Sequence, residues 1–425
     1  MDIKRLYRAF LDNPLITTDS RQNVEGAIFF CLKGERFDGN EFAEEAASKG
    51  ARYVITNRSD LSGAPFLKTS DPLKALQNLA AMYRQSFMVP VLAIAGSNGK
   101  TTTKELLSNL ISKEFKTFST KGNLNNHIGV PLTLLSAPKD AQFLIIEIGA
   151  NHLNETAELC EICRPNYGIV TNNGKDHLGE FGGTENVERA NAELYDYLRK
   201  SGGVAFVNGT DKDLIRWSLG VQRYLYNISN SLAYPAIKNS ELIPSFEFQK
   251  FPQKVQLQLF GAHNIVNAVA AAAVGRYFGI SWEKIISALE SYRPVGYRSS
   301  LLEWKGARII ADCYNANPSS MEAALHSFIQ TAPNPRLMVL ADMLELGDFS
   351  ESEHLSIIRQ ILNYPDIQVA LLGPGFRHAS KTLSAPLNNF ESLDELKEWF
   401  QKQNWEGWHI LLKGSRKFTL EKILE

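Results

Sequence analysis

Short unbroken apolar runs alternate along the chain with longer stretches whose apolar positions recur every third or fourth residue, the arrangement of parallel strands sheathed by helices. Runs at 26–32 and 52–56 predict strands, and stretches at 41–49 and 72–87 predict helices. The small unit they form ends at Met88-Val89-Pro90. A second unit opens with the run 91–95, a glycine turn, and a helix whose Leu106, Leu107, Leu110, Ile111 and Phe115 share one face. Runs at 143–147, 167–171 and 203–207 predict further buried strands. Between Leu225 and Leu259 the helical period vanishes, and 254–259 alternates with period two, which predicts a small antiparallel insert. An alanine-rich helix over 263–278 closes the unit. Arg293-Pro294-Val295-Gly296 punctuates the next boundary. Beyond it, strands at 307–311, 336–340, 368–372 and 409–412, separated by helices, predict a third unit. The expected fold class is α/β in three domains, residues 1–88, 89–293 and 294–425.

Composition narrows the class. Of 425 residues, 44% are hydrophobic and 21% charged, which excludes disorder, collagen and coiled coil. Lys plus Arg is 45 and Asp plus Glu 46, a net charge of −1, so no global field draws the chain to nucleic acid or an anionic membrane. Any polyanion must be held by a local site. Residues 1–8 lack the apolar core of a signal peptide, and no apolar window is long enough to span a bilayer. Four cysteines are too few for a disulfide framework, so a reducing cytoplasm is the expected location. Cys160-Glu-Ile-Cys163 has redox or zinc spacing, but no second pair completes a metal site, and Leu159 and Ile162 place it in a helical pattern.

Ala95-Gly96-Ser97-Asn98-Gly99-Lys100-Thr101-Thr102 lies between a buried strand and an amphipathic helix, the context of a phosphate-binding loop. Glycines let backbone N–H groups converge on phosphate oxygens, the helix presents its positive end, and Lys100 adds a point charge. Thr101 is placed to coordinate Mg²⁺. Ile94 stands where the general Walker pattern has its first glycine, so the loop is a shorter variant. Glu147 ends a buried run, and a charge there belongs at the carboxyl edge of the sheet, where ligands bind. It is the first candidate for the Mg²⁺ carboxylate. His177 follows the 167–171 run and is a candidate for metal binding or catalysis.

Together these motifs resemble the Mur ligase family of ATP-dependent amide ligases. The resemblance rests on 96–102, Glu147-Ile-Gly-Ala-Asn-His152, His177-Leu178, Gly261-Ala-His-Asn-Ile-Val-Asn267, Asp312-Cys-Tyr-Asn-Ala-Asn-Pro318 and Lys413-Gly-Ser-Arg416. It implies a small N-terminal α/β domain, a central P-loop ATPase-like parallel-sheet domain and a C-terminal Rossmann-like domain. The box at 312–318, and Leu340-Ala-Asp-Met-Leu-Glu-Leu-Gly347 after the next strand, are most similar to the branch that joins D-alanyl-D-alanine to UDP-N-acetylmuramoyl-tripeptide (UDP-MurNAc-tripeptide) through an acyl phosphate. The Asp-Asn-Pro-Arg motif of the branch adding the third amino acid is absent; Asn334-Pro335-Arg336 leads into a strand instead.

The resemblance carries residue assignments. Gly96, Ser97, Asn98, Gly99, Lys100, Thr101 and Thr102 would hold the ATP phosphates, with Thr101 and Glu147 on one Mg²⁺ and His177 on a second. Asn264 and Asn267 sit where adenine-side contacts are made, and Asp312, Tyr314 and Asn315 are the third domain's nucleotide contacts. Ser20, Arg21, Lys33, Gly34, Asn123, Asn125 and Asn126 look like nucleotide-sugar binding elements. Lys100, Glu147, His177 and Arg298 form the expected catalytic set, Arg298 through its planar fork. One departure stands out. Many family members carry a carbamoylated lysine where this chain reads Ala190-Asn191-Ala192-Glu193-Leu194, and asparagine cannot be carbamoylated; its amide oxygen or a water would have to stand in. The expected protein is a monomer with small-molecule substrates and no nucleic-acid partner. Competing readings are a sibling or folylpolyglutamate-type ligase, a nucleotide-driven switch, and a binding protein that has lost catalysis.

Overall fold

The computed structural model describes residues 2–34, 37–227, 235–239 and 241–425. Glu35 and Arg36, and part of the expected insert (228–234 and 240), lie outside the described residues. Strands Ile16–Thr17, Ile28–Phe30, Tyr53–Thr56 and Phe66–Lys68 pair in parallel in that order. The expected helix at 41–49 is a short 3₁₀ turn, Gly39–Phe42, running into the helix Ala43–Ser48. The helix Pro72–Arg84 starts where foreseen, with the Asp71 side chain accepting from the Lys74 N–H and Pro72 in the first turn. A helix at Ile3–Asp12, unforeseen, buries Leu6, Ala9 and Phe10, and Phe10 meets Tyr83 edge-on at 4.9 Å.

The central sheet has six parallel strands in the order Gln222–Tyr226, Val204–Asn208, Tyr167–Val170, Val91–Ala95, Phe143–Glu147, Thr117–Ser119. Every residue of Val91–Ala95 and Phe143–Glu147 is buried, because helices cover both faces; hence the unbroken apolar runs. Lys100–Ile111 and His263–Tyr277 lie on one face, and Glu155–Cys163 and Thr184–Ser201 on the other. The chain leaves Val91–Ala95 toward one side of the sheet and returns to build the other, so the loop after this strand sits at the topological switch point, where such sheets bind ligands. Strands Pro235–Asn239, Ser245–Phe248 and Phe251–Gln256 make the antiparallel insert, but Gln222–Tyr226 is the edge of the main sheet.

In the third unit, Ala307–Asp312, His409–Lys413, Arg336–Ala341, Ile367–Leu372 and Asn388–Phe390 run parallel in that order, with Ser300–Trp304 added antiparallel to the first. The fold is thus a three-domain α/β architecture. One apolar core runs from Leu6 and Phe10 through Tyr83 to Val91 and Ile146, joining the first unit to the second. Another joins Leu178, Phe181 and Phe260 of the second to Met321 and Leu346 of the third. Cys31, Cys160, Cys163 and Cys313 are free and buried, and burial pushes the Cys163 thiol up to about 12. None of the helices among the described residues is long and apolar enough to cross a membrane.

The junction of the first two units is fastened by one cation. Arg84 is buried and donates to the carbonyls of Cys163 (2.7 Å), Phe87 (2.9 Å) and Arg164 (2.9 Å). Replacing Arg84 with Met strands all three carbonyls, at a cost of about 3 kcal/mol. The expected result is cleavage of the segment 85–90 about a hundredfold faster in limited proteolysis under conditions where opening equilibrates before cutting.

Candidate active site

The phosphate loop takes its shape from close backbone contacts. Gly96 has φ +113°, and a Cβ there would stand 2.4 Å from Thr171 Oγ1. Gly99 has φ +80°, and its Cβ would meet Asn267 Oδ1 at 2.7 Å. Only glycine satisfies both the backbone angle and the space. The loop is docked on the end of the neighbouring strand: Asn98 N–H donates to Asn172 Oδ1 (3.0 Å) and Thr171 Oγ1 donates to the Asn98 carbonyl (2.6 Å). The helix Lys100–Ile111 follows directly, so its free N–H groups face the loop. Lys100 Nζ folds back onto the carbonyls of Gly96 and Ser97 and lies 4.0 Å from Asp176 Oδ2.

Glu147 ends the adjacent strand with a buried side chain. Its Oε1 accepts from Thr101 Oγ1 (3.1 Å) and Asn125 Nδ2 (2.9 Å), and its Oε2 lies 3.2 Å from Lys104 Nζ. Opposite, the third unit contributes Asp312 and Lys413, partners on adjacent strands, with Lys413 Nζ donating to Asp312 Oδ2 at 2.7 Å. Burial alone would push the Asp312 carboxyl up, but the Lys413 ammonium and the Ser299 N–H hold it below its ordinary value. Burial also pushes the neighbouring His263 imidazole down. The Arg298 guanidinium stacks on Tyr314 at 3.4 Å and makes no protein hydrogen bond among the described residues, so its N–H groups remain available.

One cavity of about 690 Å³ unites these groups. Ser97 to Thr102, Asn123, Asn125, Asn126, Glu147, His177, Asn264, Asn267, Arg298, Asp312, Tyr314 and Asn315 all line it. The second and third units meet around it: Asn317 Nδ2 donates to Asn98 Oδ1 (2.9 Å), Lys175 N–H to Ser319 Oγ (2.8 Å), and Lys175 Nζ pairs with Glu353 (2.8 Å). Ser20, Arg21, Lys33 and Gly34 are elsewhere, on the first unit; Arg21 pairs with Asp19 and Lys33 with Asp38 at its surface. Asn123, Asn125 and Asn126, expected as nucleotide-sugar binding elements like those turns, line the phosphate cavity. His177 reaches the cavity, but its Nδ1 lies 3.1 Å from both Glu180 and Glu345, which ties it to the third unit. Asn191 is buried beneath the loop, its amide donating to Ser97 Oγ at 3.2 Å. Lys104, Asp176 and Asn172 carry no sequence assignment, and Asn317 and Lys413 stand within the family motifs without a role of their own. Asp176 had a visible signal, a carboxylate beside His177 in the loop that follows the strand Tyr167–Val170.

Sequence comparison bears on this arrangement. Models for the Mur ligase family catalytic domain, the Mur ligase middle domain and the Mur ligase glutamate ligase domain match residues 14–84, 94–275 and 298–416. The chain belongs to the Mur ligase family. Among Mur ligases, it is 33% identical to UDP-N-acetylmuramoyl-tripeptide--D-alanyl-D-alanine ligase of Escherichia coli (strain K12), over 96% of this chain and 92% of that one. It is 30% identical to the enzyme of the same name from Bacillus subtilis (strain 168), with the same coverage. Its fold superposes on MurF from Acinetobacter baumannii with TM-score 0.88 and 32% identity, covering 96% and 92% of the two chains. MurF ligase from Thermotoga maritima, solved in complex with ADP, gives TM-score 0.85 and 26% identity, covering 96% of each chain.

Thr101, Glu147 and Asp176 are the residues of this cavity that could hold a divalent cation. Asp176 Oδ1 is buried and lacks a hydrogen-bond donor, and it shares the cavity wall with Thr101 and Glu147. An unpaired buried carboxylate oxygen is costly, and a cation relieves it. The Asp312–Lys413 pair yields a pH prediction. Because the folded Asp312 carboxyl is depressed, its contribution is fully present above about pH 4 and is lost as pH falls through the folded value. Lys413→Met should cost about 3–5 kcal/mol at neutral pH by leaving that carboxylate unpaired. Thermal midpoints measured against pH should show the gap between variant and parent closing as the medium is acidified.

Proposed function

We propose that this Mur ligase joins D-alanyl-D-alanine to UDP-MurNAc-tripeptide at the expense of ATP, giving the pentapeptide, ADP and phosphate. The observation that carries the proposal is the single cavity walled by the phosphate loop and Glu147 on one side and by Asp312, Lys413 and Arg298 on the other. Relatives named for this reaction align over nearly the whole chain and support it.

A carboxylate is a poor acylating agent, being anionic with a bad leaving group. In the proposed reaction the tripeptide carboxylate oxygen attacks the γ-phosphorus, ADP departs, and the resulting acyl phosphate has phosphate as its leaving group. The dipeptide amine attacks the acyl carbon, loses its proton, and the C–O bond to phosphate breaks as the amide forms. Both reactants of the first step are anions, so positive charge must gather between them. Lys100, the loop N–H groups and the Arg298 fork supply it, with His177 beside them. Mg²⁺ held by Thr101 and Glu147, with His177 reading as ligand to a second ion, would neutralise the phosphates further. Asn264, Asn267, Asp312, Tyr314 and Asn315 would bind the nucleoside end. Ser20, Arg21, Lys33 and Gly34 would anchor the UDP end, and Asn123, Asn125 and Asn126 the reacting end of the same substrate.

Contacts between the second and third units matter because an acyl phosphate hydrolyses if water reaches it; closure excludes that water. We read the division of labour as 1–88 for the nucleotide-sugar, 89–293 for ATP phosphates and 294–425 for completing the site, in a monomeric cytoplasmic enzyme. Supplied with ATP, D-alanyl-D-alanine and UDP-MurNAc-tripeptide carrying lysine or diaminopimelate, the protein should yield the pentapeptide mass. ADP release without that product, or equal use of single amino acids, would refute the assignment. Lys100→Ala should lower kcat by about a hundredfold or more.

A further inference from the structure

Lys104 lies one helical turn beyond Lys100 and points inward. Its side chain and that of Glu147 are each 2% exposed. Its ammonium stands 3.2 Å from Glu147 Oε2 and donates to the Gly122 carbonyl at 3.2 Å, while Thr101 and Asn125 serve Oε1 from the other side. A buried ammonium is retained at a desolvation cost that an apolar side chain of similar length would avoid. The charge itself therefore calls for an explanation, and its position behind the Mg²⁺ carboxylate offers one.

We propose that Lys104 is a resident counter-ion for Glu147: it neutralises the carboxylate while no nucleotide is bound, so Glu147 is a poor site for free Mg²⁺ and accepts the ion only together with nucleotide phosphates. This rests on the reading of Glu147 as the metal carboxylate. Two cations beside one carboxylate repel each other strongly in a buried site, and only the added negative charge of the phosphates outweighs that repulsion. Lys104 faces Oε2, which is buried without a hydrogen bond, while Thr101 and Asn125 hold Oε1; Lys104 therefore acts through the carboxylate's charge and orientation, as a positioning residue.

The test compares thermal midpoints of the full chain in EDTA, in MgCl₂ alone, in ADP with EDTA and in Mg·ADP. The unmodified protein should respond to Mg·ADP and not to MgCl₂ alone. Lys104→Met should melt earlier in EDTA and regain stability in MgCl₂ alone, at concentrations that leave the parent's midpoint unchanged. A Lys104→Met chain that folds only with MgCl₂ is the same result in its extreme form. Lys104→Arg should behave like the parent. Adding Glu147→Gln to Lys104→Met should abolish the response to MgCl₂ and restore the midpoint in EDTA. The proposal is overturned if Lys104→Met responds to MgCl₂ no more than the parent, if it fails to fold with or without MgCl₂, or if the parent gains as much from MgCl₂ as from Mg·ADP. If Glu147→Gln alone leaves the Mg·ADP shift intact, the underlying reading of Glu147 falls, and the proposal with it.

Discussion

A carboxylate buried at the end of a fully buried strand must find partners inside the protein, and the surroundings of Glu147 are built to supply them. Thr101 and Lys104 come from the helix that follows the phosphate loop, and Asn125 from the loop between the flanking strand and helix. The Glu147 N–H donates in turn to Thr120 Oγ1. These contacts fix the first turn of the Lys100–Ile111 helix relative to the sheet, and with it the direction in which the loop's N–H groups point. A charge without that set would be expelled toward solvent or protonated. Oε1 is hydrogen-bonded twice, whereas buried Oε2 has no hydrogen bond and faces only the Lys104 ammonium, so the phosphate site depends on this one ion pair as much as on glycine.

The second dependence is on shared apolar cores. The first unit packs on the central sheet through Tyr83 and the Arg84 clamp, and the third docks through Phe260, Leu178 and Leu346. Polar contacts at the cavity rim, Asn98 to Asn317 and Lys175 to Glu353, add direction to a joint that apolar area holds together. Rim ion pairs of this kind contribute little energy. They suit a joint that must open to admit substrates and close over an intermediate sensitive to water.

Buried strands were legible in the chain because burial on both faces fills them with apolar residues: all of Val91–Ala95, and Phe143–Glu147 up to the carboxylate at its end. Edge strands were not. Gln222–Tyr226 buries only Tyr226, and Ser300–Trp304 only Ser300, so their side chains carry no run. The phosphate loop and Glu147 were readable because both are local, a motif and a strand end. Lys413 was legible as the start of a motif, but its pairing with Asp312 was not, since the two meet only through the adjacency of strands separated by about a hundred residues. His177 was found, but its tie to Glu345 depends on how two units dock. The placement of Asn123, Asn125 and Asn126 on the phosphate cavity likewise follows from tertiary structure, because the loop carrying them folds back over Glu147.

Central to the account is activation of a carboxylate by phosphoryl transfer inside this cavity. Oxygen tracing tests it most directly. With ¹⁸O in the terminal carboxylate of the tripeptide, an acyl phosphate requires that the bridging oxygen leave with the phosphate. The account predicts one labelled oxygen in the inorganic phosphate released with each pentapeptide formed. Pentapeptide formed with all of the lost label in water, and none in phosphate, would contradict it.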